Sequence, residues 1–472
     1  MGGTAESVSL RALCTTKTAG QVGQALGVID QANDQGAKWG LMLDPQPTDL
    51  SSIPIEMAVV RRGFSPNLAA AASGQPSDSR KIVLIGAGAL GSQVADVLFR
   101  EGYGHWTIVD DDRLFPHNLA RHALDAHFLG LNKAFALNLH LNLMSDGLEN
   151  AASIPCNVLE PGEHSEALVA ALADAELIID ASASVEVERW LAREAKRSAP
   201  AISVFFNPSG TDLVILSEGS CRNYPLDSLE MAYYRLLITS ETLADHLAAP
   251  AEPVLQATGC REPSVAIPQS RVIRLVGLAA GEIRSLTMVD EPRVAVWHDA
   301  EGALTQSDAC SPTLGCISAA VSGWTITVLP EVLEEIQEHR ATSGSVETGG
   351  ILTGSWDYTR NIIYVVGAIG PPPDSVRDRS GFIRGTAGLD TILKTLSDRT
   401  MGNISYVGEW HTHPPGSGSL PSTTDQEFLQ KMRAQTRLED APALMLIGGE
   451  DGIRVALKTV AGEQANQLLP SP

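Results

Sequence analysis

The densest chemistry in the sequence lies near its end, in GEWHTHPPGSGSLPSTTD, which carries His411, His413, Ser422 and Asp425. Alternation along a strand sends His411 and His413 to one face. Asp425 opens the following helix and completes three protein ligands. Two imidazoles and a carboxylate leave a fourth position open, the pattern of a catalytic rather than a structural zinc site. Such an ion lowers the pKa of its water toward about 7, and hydrolysis then needs a carboxylate base. Glu347, in ETGGILTG, stands upstream at the edge of a strand. Glu409, two residues before His411, is a rival base or a group that orients the ligands.

A second cluster begins at Gly86-Ala87-Gly88-Ala89-Leu90-Gly91, directly after an apolar strand and opening a helix. Glycines at Gly86, Gly88 and Gly91 permit a tight turn and bring phosphate to the helix N-terminus. Acids follow at Asp110 and Asp112, where a ribose hydroxyl is bound in dinucleotide enzymes. Asn118, Arg121 and Lys133 come next. A nicotinamide enzyme has no need of that trio, whereas ATP phosphates in a reaction that builds up charge do.

The elements that position these groups read as α/β throughout. KIVLIGAGALGSQVADVLFREGYGHWTIVDDD is one βαβ unit, and helix–strand alternation continues to about residue 215. A doubly wound, Rossmann-like parallel sheet is expected there. NLAAAASGQPSDSR before it reads as a linker, and residues 1–79 show no chemistry. Residues 291–323 read as a turn-rich linker between an 80–290 domain and a second α/β domain at 324–472.

The segment DDDRLFPHNLARHALDAHFLGLNKAFAL resembles the ThiF/ubiquitin-activating adenylating enzymes. Asp110, Asp112, Asn118, Arg121 and Lys133 match the family pattern, with His122 in place of the usual Gln. The resemblance implies Mg–ATP, a ubiquitin-like carrier protein whose C-terminus is adenylated, and a homodimer. It departs from the family after a later strand: Asp180 matches the first acid of Asp-x-x-Asp, but Ala183 stands at the second. Metal handling then falls to Asp180 or Asp112, or adenylation is weakened. Activating enzymes also carry a thioester cysteine. Cys260, beside Arg261 and ahead of a long amphipathic helix, is the first candidate, and Cys221 the second. The C-terminal set, Glu347, His411-x-His413-Pro, Ser422 and Asp425, resembles the JAMM/MPN metalloproteases. That resemblance gives Glu347 the water-activating role and has Ser422 help hold the oxyanion or the water. The His413–Ser422 loop is one residue longer than the family's common spacing.

Together the resemblances point to a bacterial ubiquitin-like conjugation operon, some of which are linked to phage defence, with a separate conjugating enzyme. Sulfur-carrier activation, a non-adenylating docking domain and a nicotinamide enzyme stay open as alternatives. Composition narrows the field further. Lys and Arg total 34 against 56 Asp and Glu, a net charge of −22, with no basic cluster to neutralise a phosphate backbone, so nucleic acid is not an expected partner. No apolar run reaches the roughly 18 residues of a membrane span. MGGTAESVSLRALC lacks a signal peptide's basic start and apolar core, and none of the six cysteines forms CxxC, so a cytoplasmic protein is expected.

Overall fold

The computed structural model describes residues 12–33, 36–39, 50–58, 64–145, 149–220, 222, 224–248, 267–289, 291–300, 303–309, 317–435, 441–460 and 462–470. The chain divides into a unit at Met1–Phe64 and a larger one at Ser65–Pro472. The first contains a strand pair, β1 (Ala12–Cys14) with β4 (Glu56–Ala58), a helix α1 (Ala19–Ala25), and a second pair, β2 (Ile29–Asn33) with β3 (Gly36–Trp39).

The larger unit opens on α2 (Pro66–Ser73), where the sequence suggested a linker. The alanine run is helical because both ends are sealed. The Ser65 hydroxyl accepts the Leu68 N–H, Pro66 takes the first turn, and Gly74 closes the helix in the left-handed region at φ +65°.

The first sheet contains β5 (Asp78–Ile85), β6 (Tyr103–Val109), β7 (Ala151–Ile154), β8 (Leu177–Asp180), β9 (Ala201–Phe206), β10 (Asp212–Ser217), β11 (Arg293–Ala300) and β12 (Ala303–Ala309). Their order is β12-β11-β10-β9-β8-β5-β6-β7. Five strands, β5 to β9, run parallel, and β10 to β12 are antiparallel. Helices α3 (Ala89–Arg100) and α8 (Gln269–Leu286) cover one face with α4 (Lys133–Met144), while α5 (Ser165–Asp174), α6 (Val185–Arg193) and α7 (Leu226–Thr239) cover the other. The linker expected at 291–323 is corrected: β11 and β12 extend this sheet, and β13 (Ile317–Val321) begins the next one. The turn-like letters misled because β12 is an edge strand, which tolerates Gln306, Ser307 and Asp308.

The second sheet has the order β22-β21-β20-β19-β15-β16-β14-β13-β23. It uses β13, β14 (Trp324–Val328), β15 (Thr348–Asp357), β16 (Ile362–Ile369), β19 (Ser405–Thr412), β20 (Ala443–Gly449), β21 (Gly452–Lys458), β22 (Glu463–Gln467) and β23 (Leu469–Pro470). A small hairpin, β17 (Val376–Arg377) with β18 (Phe382–Ile383), stands apart from the sheet. Helices α9 (Pro330–Thr342), α10 (Leu389–Arg399) and α11 (Thr423–Gln435) complete it.

The two sheets share a hydrophobic core that runs from Val83 and Leu191 to Tyr364 and Trp410. Charged groups cross the seam as pairs. Arg189 on α6 binds Glu230 on α7 at 2.9 Å and lies 3.6 Å from Asp357 on β15. The Tyr364 hydroxyl donates to Asp227 at 2.6 Å. Arg235 bridges to Glu335 at 2.7 Å.

Candidate functional site

The first site is built on the turn between β5 and α3. Gly86 has φ +88°, and a Cβ there would lie 2.8 Å from the Ala181 carbonyl. A Cβ at Gly91 would lie 2.0 Å from the Gly86 oxygen. Helix α3 starts at Gly88 with no side-chain cap, so its first N–H groups are open to an anion. Behind the turn, His122 is buried between two backbone groups. Its Nε2–H donates to the Ala87 carbonyl at 2.7 Å, and its Nδ1 accepts the Leu124 N–H at 3.1 Å. Those partners hold the ring neutral, and burial pushes its pKa down to about 4.

A cavity of about 310 Å³ opens in front of the turn, lined by Gly86, Gly88, Asp110, Asp112, Lys133, Cys156 and Ser182 among others. Asp110 accepts N–H bonds from Ala87 at 2.7 Å and Asp112 at 2.8 Å, while burial raises its carboxyl. Lys133 bonds the Asp112 carboxylate at 2.7 Å. Asn118 and Arg121 stand outside this lining. Asn118 Oδ1 caps its own turn by accepting the Phe115 N–H, and the Arg121 carbonyl accepts from Gln93. Asp180 is wholly buried and also lies outside the lining. Its carboxyl accepts the Ser182 N–H, one oxygen has no partner, and burial raises it to about 6. Ala183 adopts the left-handed region at φ 55°. Cys260 and Cys221 lie outside the described residues.

The second site sits where β19 ends. Strand register pairs Thr412 with Thr348 and His411 with Gly349, which carries Glu347 to the same end. His411 Nε2 and His413 Nε2 are 3.3 Å apart. Asp425 places one oxygen 3.3 Å from His411 and the other 3.6 Å from His413. All three ligand atoms fall within 4.8 Å of one another, the one such group among the described residues. His413 Nδ1–H donates to the Gly418 carbonyl at 2.6 Å, which leaves Nε2 bare for a metal. A 3.3 Å nitrogen separation is the edge of a tetrahedron with metal–nitrogen bonds of about 2.0–2.1 Å, so the set fits zinc.

Ser422 and Asp425 cap helix α11 reciprocally. The Ser422 N–H donates to the Asp425 carboxylate at 2.7 Å, and the Asp425 N–H donates to Ser422 Oγ at 3.2 Å. Ser422 also lines the cleft beside Asp425. Burial would raise Asp425, but hydrogen bonds from His411 and His413 outweigh it and hold the carboxyl well below its usual range. Asp425 in turn raises His413. Glu347 is half-buried facing the ligands, and burial raises its carboxyl against the pull of both histidines. These groups line a cleft of about 600 Å³ with Phe382, Arg384, Phe428 and Lys431. Sequence reading missed those four, which come from the separate hairpin and from α11. Glu409 is saturated by Arg384 at 2.8 Å and the Tyr406 hydroxyl at 3.0 Å, which leaves Glu347 as the carboxylate open to the ligands.

The cavity lies in a domain of adenylating type and the cleft in a domain of JAB protease type. Residues 68–213 match the ThiF family and residues 329–458 match the prokaryotic homologs of the JAB domain, so the chain carries a ThiF domain followed by a JAB domain. An Enterobacter hormaechei protein named CD-NTase/cGAS isopeptidase is 34% identical over 128 residues, 27% of this chain and 69% of the relative. The Pseudomonas aeruginosa ATP-dependent ubiquitin transferase-like protein Cap2 is 28% identical over 207 residues. That match covers 43% of this chain but only 35% of Cap2. Among solved structures, Escherichia coli MccB crystallised with ATP aligns at 14% identity and TM-score 0.32, over 49% of this chain and 64% of that one. No helix among the described residues is long and apolar enough to cross a membrane.

Proposed function

We propose that the chain activates the C-terminus of a ubiquitin-like carrier protein with Mg–ATP and, at its second site, cleaves zinc-dependently the peptide or isopeptide bonds made to that C-terminus. The names of the relatives, a transferase-like protein for one half and an isopeptidase for the other, support this pairing. The observation that carries it is the convergence of His411, His413 and Asp425 on one point with Glu347 facing them.

In the first half, the carrier's carboxylate attacks the α-phosphate and pyrophosphate leaves. The open N-terminus of α3 and Lys133 receive the phosphate charge, and Asp110 and Asp112 take the ribose. The acyl adenylate is then passed to Cys260, or to Cys221, and on to a separate conjugating enzyme, with the adenylating half acting as a homodimer in the cytoplasm. In the second half, zinc supplies Lewis acidity toward water and the scissile carbonyl. Glu347 takes a proton from the attacking water and returns it to the departing amine, and the Ser422 hydroxyl donates to the oxyanion.

Metal-dependent cleavage of a carrier fusion, lost in Glu347→Gln with zinc retained, tests the protease half. Cleavage unaffected in that variant refutes it. A second reading, in which the first half only docks the carrier, draws on Ala183 and on the full burial of Asp180 away from the cavity. Carrier-dependent ATP–pyrophosphate exchange separates the two, because a docking domain shows none. A thiocarboxylate product in place of a thioester would mark sulfur-carrier activation.

A further inference from the structure

The cleft contains an ion pair that the chemistry above does not use. Glu409 on β19 is 5% exposed and accepts Arg384 Nε at 3.0 and 2.8 Å on its two oxygens. Arg384 follows directly on β18, so the pair ties the hairpin back to the strand that carries His411 and leads into His413.

The other end of the hairpin is tied to the base. The Glu347 N–H donates to the Asp378 carbonyl at 2.8 Å, one residue past β17. Between these two ties the hairpin is closed on itself. Val376 pairs with Ile383 and Arg377 with Phe382, and the Asp378 N–H donates to the Gly381 carbonyl. Its root is knotted by the Gly385 N–H on Ser375 Oγ at 3.0 Å and by the Asp374 carboxylate on the Thr386 and Ala387 N–H groups.

The contacts therefore close a ring: β19 at Glu409, Arg384, the hairpin, Asp378, Glu347, β15, and back to β19 through the Thr348–Thr412 and Ile351–Glu409 register. His411 stands on the β19 arm of that ring, and Glu347 stands where the β15 arm meets the hairpin. Glu347 precedes the first residue of β15, and among the contacts described its backbone is fixed beyond the sheet by Asp378. We propose that Arg384, acting through Glu409, is a positioning residue that holds Glu347 in reach of the metal site. This rests on the protease reading of the cleft and adds to it the device that sets the base's distance.

The test compares wild type, Arg384→Ala, Arg384→Lys, Glu409→Gln and the Arg384→Ala/Glu409→Ala double variant, all loaded with zinc. Zinc content should be unchanged in each. For cleavage of a carrier fusion, kcat should fall by at least about tenfold in Arg384→Ala with KM little moved, against about a hundredfold for a full 1 Å misplacement. Arg384→Lys should recover part of the loss, and the double variant should be no worse than Arg384→Ala. The Glu347 amide, protected by Asp378 in wild type, should exchange faster with deuterium in Arg384→Ala and in Glu409→Gln. Wild-type amide protection and wild-type kcat per folded molecule in both variants would overturn the proposal. A wild-type protein that cleaves no fusion refutes the protease reading instead, and the Glu347 amide exchange still decides whether the ring is closed by this pair.

Discussion

Replacing His122 with Gln should flatten the acid dependence of stability. His122 is 7% exposed, its Nδ1 accepts one backbone N–H, and its Nε2 donates to one carbonyl. Burial, outweighing the hydrogen bond to the Ala87 carbonyl and helped by the nearby Lys133 charge, takes the pKa from 6.5 to about 4. The sign follows from proton counts. Between pH 4 and 6.5 the unfolded chain binds the proton and the folded one does not, so stability rises with pH across that window. The contribution is fully present above pH 6.5 and is lost as pH falls toward 4. Linkage with those two values gives a loss of about 2 kcal/mol between pH 7.5 and pH 5. A Gln amide can make the same two bonds without titrating. Urea unfolding at both pH values should show the wild type losing about 2 kcal/mol more than His122→Gln. Equal losses in the two proteins would refute the assignment of a neutral, doubly bonded His122. Nucleotide affinity at neutral pH should be retained in His122→Gln and weakened in His122→Ala, which leaves the Ala87 carbonyl of the glycine turn without its partner.

Gly91→Ala should abolish nucleotide binding, because its Cβ would lie 2.0 Å from the Gly86 oxygen, and isothermal titration with ATP reads that loss. Asp425→Asn should strip zinc measured by metal analysis, whereas Glu347→Gln should keep zinc and lower kcat by about 10²–10⁴-fold. Arg189→Ala leaves Glu230 buried without its cation, while Asp357 keeps Arg360 at 3.0 Å, and should cost about 3–5 kcal/mol in denaturant unfolding.

Legibility in the sequence followed the range of the interactions involved. His411, His413, Ser422 and Asp425 are close in sequence, strand and helix periods fix their facing, and Gly86 to Gly91 announce their turn by composition. Glu347 required one long-range assumption, that β15 pairs with β19, which the register of Gly349 with His411 satisfies. The Arg384–Glu409 pair was hidden because it depends on where a hairpin outside the sheet folds back, and no local period encodes that. Asn118 and Arg121 stand outside the cavity lining although their types suit phosphates. The alanine helix at 66–73 was missed because Pro/Ser/Gly flanks were read as linker rather than as caps. The strand at 303–309 was missed because an edge strand can be as polar as a loop.

The most direct test of a chain that both processes and activates one carrier is ATP–pyrophosphate exchange driven by a carrier with a C-terminal extension. Wild type should support exchange with the extended carrier, because cleavage exposes the C-terminus that the cavity activates. Glu347→Gln should show none with the extended carrier and full exchange with the trimmed one. Exchange by Glu347→Gln on the extended carrier, or none by wild type on the trimmed one, would contradict the account.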